Sequence, residues 1–359
     1  MKRARVIVAG TAIGLAATAF LALWLLPCPP LLEDRSFSRA FLDRDGRLLR
    51  LTLAADDRYR VYTPLDRISP LLVEATLLQE DRLFGWHPGF NPWALVRGAW
   101  MTVTGTGRSG GSTLTMQLAR LRFGLKTRTP WGKLRQVARA LQIELHYSKD
   151  EILEAYLNLA PYGRNIEGAE AASLVWFGKT ADRLTLPEAL TLCQIPRRPG
   201  PQPDREPART RIQDGRKALF ERWIERHPDD ADARTDLELP VTLRPLSRLP
   251  RRAPHAVDQV AAGLPTQIGP GQTLEVRTTI DLGLQELTEQ RVAAYIDRVR
   301  DRGITNAAVL LVDAGSLEVR ALVGSADFDD AAIQGQVNGV RAPRSPGSAL
   351  KPFVYGLAI

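Results

Sequence analysis

The sequence is poor in the residues that build covalent and metal-held sites. It has two cysteines, Cys28 and Cys193, in 359 residues. They lie far apart and neither has a partner at metal-ligand spacing, which excludes a disulfide framework and a cysteine zinc site. The four histidines, His87, His146, His227 and His255, are too scattered for a metal cluster. Internal repeats are absent. No nucleic-acid recognition motif accompanies the positive charge, so charge alone does not make this a nucleic-acid binder. Apolar residues (44%) and charged residues (25%) are present at ordinary levels, which excludes a disordered chain. The length accommodates two domains with a core each. The net charge of +8, with arginine well ahead of lysine, suits either a solvated basic surface or an anionic partner such as phosphate groups or a lipid surface.

One long uncharged run is present. Val6 to Leu26 carries no charge over 21 residues, and ~20 residues span a bilayer core as a helix. Basic residues within 1–5 precede it, which predicts a cytoplasmic N-terminus and an external body. The run is long for the apolar part of a cleaved signal peptide and lacks a clear small-x-small site, so an uncleaved single-pass anchor is expected.

Beyond the run, residues 27–64 alternate and turn at Asp45-Gly46, which reads as short strands near the membrane. Residues 65–223 read as helical. Ser69 with Pro70 predicts a helix start. Leu134, Val137, Leu141 and Leu145 make an apolar stripe, and Ser148 with Glu151 makes a capping box. Residues 224–273, with a Pro- and Arg-rich run from Pro240 to Pro254, read as a linker. From 274 onward, strand, helix and two strand-like runs predict the beginning of an α+β domain. The fold class expected is therefore multidomain: a transmembrane helix, a mainly α domain, then α+β.

Four clusters in the helical part can carry chemistry. Glu80, Asp81, Phe84, His87 and Gly89 close an apolar helix; alone, such a pair of carboxylates is also an ordinary helix end. Gly110, Gly111, Ser112, Thr113, Thr115 and Gln117 enter a helix, where free N–H groups and the dipole suit an anion. A basic helix carries Lys133, Arg135 and Arg139. Ser148, Lys149, Ile152, Leu153, Glu154, Tyr156, Leu157 and Asn158 open the last cluster. Near the C-terminus, Ser348 and Lys351 stand three apart, so that on a helix the amine can take the hydroxyl proton.

In this order and spacing the first, second and fourth clusters closely resemble the E-D-x-x-F-x-x-H-x-G, G-G-S-T-x-T-x-Q and S-K-x-x-I-L-E-x-Y-L-N motifs of the peptidoglycan glycosyltransferase domain (family 51) of class A penicillin-binding proteins. The run from Arg344 to Ala358 resembles the first catalytic motif of their penicillin-binding transpeptidase domain, and its wording looks most like the 1C branch. The resemblance implies a lysozyme-like helical fold that polymerises lipid II into glycan strands by inverting transfer, releasing undecaprenyl pyrophosphate. It implies Glu80 as general base, with Arg120 and Lys133 on the pyrophosphate. Asp81, His87, Ser112, Thr113, Gln117, Gln136 and Asn158 are expected around the substrate. A divalent cation, Mg or Mn, is expected at the pyrophosphate, and no organic cofactor. Expected partners are lipid II, the growing strand, the membrane and cell-wall synthesis complex proteins, at the bacterial inner membrane with the bulk of the chain outside.

One departure stands out. The family's R-K-x-x-E reads Gly132-Lys133-Leu134-Arg135-Gln136 here, so the second carboxylate is an amide, which can bond a phosphate but cannot carry a proton. Glu144 lies eight residues on. A slower polymerase is one expectation from this and a non-catalytic lipid II-binding scaffold is another; the resemblance of the fold to lysozyme's leaves a lysozyme-like hydrolase as a third. The later transpeptidase motifs S-x-N and K-T-G do not follow Lys351, so an incomplete and inert transpeptidase part is expected over 274–359.

Overall fold

The structure, a computed structural model, describes residues 18, 23–93, 100, 104, 112–196, 203–245, 249–264, 275–343 and 345–358. Most of the run 6–26 lies outside the described residues, as do Gly110 and Gly111. Among the described residues no helix is long and apolar enough to cross a membrane. The chain divides into two compact units. The first comprises residues 1–40, 51–249 and 267–275, and the second residues 41–50, 250–266 and 276–359.

The first unit is helical. Its principal helices are α1 (Pro70–Glu80), α2 (Leu114–Phe123), α3 (Pro130–His146), α4 (Lys149–Leu159), α5 (Ala169–Trp176), α6 (Leu186–Leu192) and α7 (Ala208–Ile224), followed by the short α8 (Arg234–Glu238). The boundaries follow from local chemistry. Thr129 caps α3 and Pro130 occupies its first turn, where a missing N–H costs nothing. Ser148 and Glu151 form the reciprocal capping box expected for α4. Ser69 stands at the N-cap of α1 but makes no side-chain cap bond; its hydroxyl donates to the Leu184 carbonyl instead.

The core closes on α4 and α5. All eight residues of α5 are buried, and Ile152, Leu153 and Leu157 of α4 bury one face. Leu72, Ala75 and Leu78 of α1 and Leu219, Phe220 and Trp223 of α7 are buried in the same unit. Each such large side chain contributes roughly 1.5–3 kcal/mol by leaving water. Arg60, 1% exposed, is held by Asp56, Glu167 and the Ser36 carbonyl, tying the segment before α1 to the turn before α5.

Helix α3 departs from the sequence pattern. Its buried residues are Gly132, Gln136, Ala140, Gln142 and Ile143, while Leu134 of the expected apolar stripe is 57% exposed. The inward face is partly polar: beside Ala140 and Ile143 it carries Gln136 and Gln142, which bond backbone carbonyls there, while Val137, Leu141 and Leu145 are half-buried.

The second unit holds a sheet of β1 (Ala40–Leu42), β2 (Leu48–Leu51) and β3 (Glu275–Arg277) in the order β2-β1-β3. It also contains helices α9 (Pro254–Ala262) and α10 (Leu282–Val299) and an antiparallel pair, β4 (Val309–Val312) with β5 (Val319–Val323). Helix α11 (Lys351–Ala358) follows. The β1–β2 turn forms at Asp45-Gly46 as read from sequence. The Asp43 carboxylate accepts from the N–H groups of Asp45 and Arg47, and Gly46 takes φ +83°. The sequence pattern places these strands with the stretch before the helical domain and reads residues 224–273 as a linker. Instead Phe41 and Leu49 share one core with Ala256, Val257, Ile280, Leu282 and Leu322, so burial joins the hairpin and α9 to the second unit.

Candidate active site

The site is built where α1 ends. Glu80 is the last residue of α1 and Asp81 is its C-cap. Their carboxylates take different roles. The Glu80 Oε2 accepts a hydrogen bond from the Gln117 amide of α2 at 2.8 Å. Beneath Glu80 lies a cavity of about 10 Å³, lined also by Thr76, Tyr156, Tyr162, Cys193 and Pro196. That volume is close to one water molecule. Burial pushes the Cys193 thiol up to about 12 and the Tyr156 phenol well above its usual value, so both stay neutral beside Glu80.

Asp81 faces the other way. Its carboxylate pairs with His87 Nε2 at 2.9 Å and accepts from the Leu114 N–H at 2.8 Å, in the first turn of α2. Thr113 caps α2: its hydroxyl accepts from the Met116 N–H and donates to the Gly89 carbonyl. Gly89 has φ +86°, and a Cβ there would meet the Ala140 carbonyl and Glu144 Cγ at 2.8 Å, so only glycine fits. Thr115 donates to Glu144, Glu144 pairs with Lys149 at 2.6 Å, and the Lys149 ammonium donates to the His87 carbonyl and lies over the Phe84 ring. Asp81, His87, Thr113, Thr115, Glu144 and Lys149 thus form one closed scaffold that fixes the 81–89 turn against α2, α3 and α4. Glu144 is committed to this scaffold.

A second network lies along α2 and α3. The half-buried Lys133 ammonium donates to Ser112 Oγ at 2.7 Å and to Gln136 Oε1 at 3.0 Å. The Gln136 amide then donates to the Met116 carbonyl at 2.6 Å. Burial, and secondarily the charge of Arg120, holds the Lys133 ammonium pKa below its usual value. Arg120 itself is exposed on the last turn of α2. Adjacent residues of α2, Met116 and Gln117, therefore connect the Glu80 carboxylate to the Lys133 network.

Asn158 is placed elsewhere. It is buried, its oxygen accepts from the Thr63 N–H, and its amide donates to the Thr63 and Glu154 carbonyls, so it splices α4 to the chain at 63. In the second unit, Ser348 and Lys351 are exposed, and no hydrogen bond joins the hydroxyl to the amine. Sequence reading missed the neutral pocket behind Glu80, whose members are scattered over α1, α4 and the end of α6. It also passed over a legible signal. Between Asp81 and Glu144 there is no acidic residue, while ten arginines and lysines occur, Arg120 and Lys133 among them.

A family model described as Transglycosylase matches residues 45–222. The chain is 38% identical over 348 residues to penicillin-binding protein 1C of Escherichia coli K12, a match covering 95% of this chain and 43% of that protein. It is 31% identical over 327 residues to penicillin-binding protein 2D of Bacillus subtilis 168, covering 88% and 46%. To penicillin-binding protein 1B of Vibrio cholerae it is 32% identical over 334 residues, covering 89% and 42%. The chain spans less than half the length of these relatives.

Proposed function

From the premise that this chain belongs to the transglycosylase family and is of the class A penicillin-binding protein 1C type, we propose that it polymerises lipid II into glycan strands. The acceptor hydroxyl must lose a proton as it attacks the anomeric carbon of the growing strand. Glu80 is the general base. A single carboxylate acting opposite the leaving group corresponds to inversion at that carbon. The Gln117 amide holds Glu80 through one oxygen and aims the carboxylate. The leaving group is already an acid anion and needs positive charge more than a proton. Lys133 supplies it together with Arg120, and Ser112 holds the ammonium in place. Asp81, His87 and Thr113 act as positioning residues by fixing the turn after Glu80 to the start of α2.

The single observation that carries this reading is the link through neighbouring residues of α2, Glu80 to Gln117 and Met116 to Gln136 to Lys133, which joins a base to a cation. The uncharged run 6–26 is read as a single-pass anchor with the bulk of the chain outside a bacterial inner membrane, which keeps the enzyme beside a substrate whose lipid tail cannot leave the bilayer. The second unit is read as the start of a transpeptidase domain, and proteins of a cell-wall synthesis complex are the partners expected.

The test is lipid II polymerisation by the detergent-purified chain beside Glu80→Gln. Strands from the parent and none from the variant support the reading. Failure of both, with lipid II still bound, replaces it with a non-catalytic scaffold.

A further inference from the structure

The resemblance carries an expectation of a divalent cation at the pyrophosphate, and the residues on α2 and α3 can be tested against it. Magnesium and manganese are held by carboxylate and carbonyl oxygens, with one or two carboxylates as the usual protein contribution. The polar cluster on α2 and α3 offers an ammonium, a hydroxyl and a carboxamide, with the Arg120 guanidinium near enough for its charge to act on Lys133. Among the described residues no group of three histidine, cysteine, aspartate or glutamate side chains could hold a metal. The neighbouring stretches outside the described residues, 94–99 and 105–111, contain no acid either. Asp81 and Glu144, the acids at the two ends of this acid-free stretch, are engaged by His87 with the α2 N-terminus and by Lys149 with Thr115. Glu80, linked to this network only through α2, accepts from the Gln117 amide. The donor set around Lys133 holds no carboxylate and does not fit a divalent cation.

Gln136 explains how the cluster works without one. It is 2% exposed, and its two ends face opposite partners. The oxygen accepts from Lys133 and the nitrogen donates to the Met116 carbonyl. Only a carboxamide satisfies both at once. A carboxylate would set an acceptor against the Met116 carbonyl, and it would neutralise Lys133 by pairing with it. With glutamine the ammonium is held in place by neutral partners, so its full charge stays available to an incoming anion. The depressed pKa of Lys133 has the same origin, burial and Arg120 with no carboxylate to offset them.

We propose that this chain neutralises the leaving pyrophosphate with Lys133 and Arg120 alone and takes no divalent metal ion, Gln136 being the positioning residue that keeps the Lys133 charge free. The proposal rests on the glycosyltransferase reading for the identity of the anion. Its test does not, because it reads anion binding rather than polymerisation.

Inorganic pyrophosphate is titrated calorimetrically into the full chain in detergent, with EDTA or with excess magnesium. The parent binds in EDTA, and magnesium does not tighten the binding. Lys133→Ala weakens it by about tenfold or more in both buffers. Gln136→Glu weakens it by about tenfold in EDTA and regains most of the loss with magnesium. A thermal melt of each variant checks folding. The unmodified chain gives a second, mutation-free reading: manganese added with pyrophosphate shows no protein-bound signal by electron paramagnetic resonance. Parent binding that needs magnesium, stoichiometric protein-bound manganese, or no pyrophosphate binding in either buffer each overturns the proposal. If pyrophosphate binds in EDTA and no glycan strands form, metal-free anion binding by Lys133 and Arg120 stands and the polymerase reading falls.

Discussion

In the first unit every residue of α5 is buried, whereas in the second every residue of α11 is exposed, Phe353, Tyr355 and Leu357 included. The contrast extends to the strands. β4 leaves Leu310, Leu311 and Val312 exposed, and a groove of about 420 Å³ between α10 and the strand region is lined by Leu287, Tyr295 and Val309. An apolar helix lying in water has no packing to hold its side chains in place. The two motifs these units carry are equally clear as sequence. Glu80 is backed by a buried pocket, aimed by Gln117 and framed by a closed scaffold. Ser348 and Lys351 stand in solvent with no hydrogen bond between them. A motif specifies chemistry where walls restrict its side chains, and among the described residues such walls surround the first motif and not the second.

Catalysis gives the widest separation. Glu80→Gln should lower the rate of lipid II polymerisation by about 10³-fold while leaving the melting transition of the first unit in place. Ser348→Ala should leave that rate unchanged, and fluorescent penicillin should label the parent chain only weakly. Strong Ser348-dependent labelling would break the comparison at its centre, since it would show an activated serine without buried surroundings.

Stability should separate the units next. Leu157→Ala removes a fully buried side chain from α4 and should cost roughly 2–5 kcal/mol. Leu357→Ala, at a residue 90% exposed, should lie within about 0.5 kcal/mol of the parent. Urea unfolding followed by far-ultraviolet circular dichroism reads both, since every tryptophan lies in the first unit. A large cost at Leu357 would mean that α11 is covered in solution.

The sequence made some of this contrast legible and hid the rest, for physical reasons. Signals confined to a few neighbouring residues read correctly: the Ser148–Glu151 capping box, Pro70 at a helix start, the Asp45-Gly46 turn. The α3 stripe misled because periodicity assumes that apolar residues face inward, while α3 turns Gln136 and Gln142 inward to satisfy backbone carbonyls and leaves Leu134 outside. The hairpin at 40–51 reads from sequence as part of the preceding segment because its core partners, Ala256 and Ile280, lie some two hundred residues away. Within the site, Glu80 and Asp81 are neighbours with opposite roles, one toward a pocket and one into the scaffold, and only the geometry after the last turn of α1 separates them. Asn158 sits in a motif yet is used up by backbone at Thr63.

The closure of the first unit can also be read through pH. Burial pushes the Glu170 carboxyl up to about 8, against 4.5 for an ordinary one, although it accepts from the Ala181 N–H. The folded chain therefore keeps this proton up to about pH 8, while the unfolded chain releases it near 4.5. Between those values the folded state binds the extra proton, so stability falls as pH rises across the window, by on the order of a few kcal/mol in all. Glu170→Gln keeps an acceptor for Ala181 and never ionises. It should flatten the decline of the urea midpoint between about pH 5 and pH 8 and leave the variant the more stable at the alkaline end. Equal slopes in parent and variant would mean that water reaches Glu170, and that the first unit is less closed than its burial implies.

The smallest expected effect isolates what the two units share. Ser148 caps α4 in the first unit, accepting from the Glu151 N–H, and Asp281 caps α10 in the second, accepting from the Gly283 and Leu284 N–H groups. Each satisfies otherwise orphaned donors at a helix start, and each should cost ~1 kcal/mol when replaced by alanine. The cap energy is local. It depends on the helix being formed and not on what its far face touches. Equal losses for Ser148→Ala and Asp281→Ala, read as shifts in each unit's own unfolding transition, would place the difference between the units in tertiary packing alone. A negligible loss for Asp281→Ala beside a full one for Ser148→Ala would mean that α10 frays in solution, and that the exposed face of the second unit weakens its secondary structure as well as its packing.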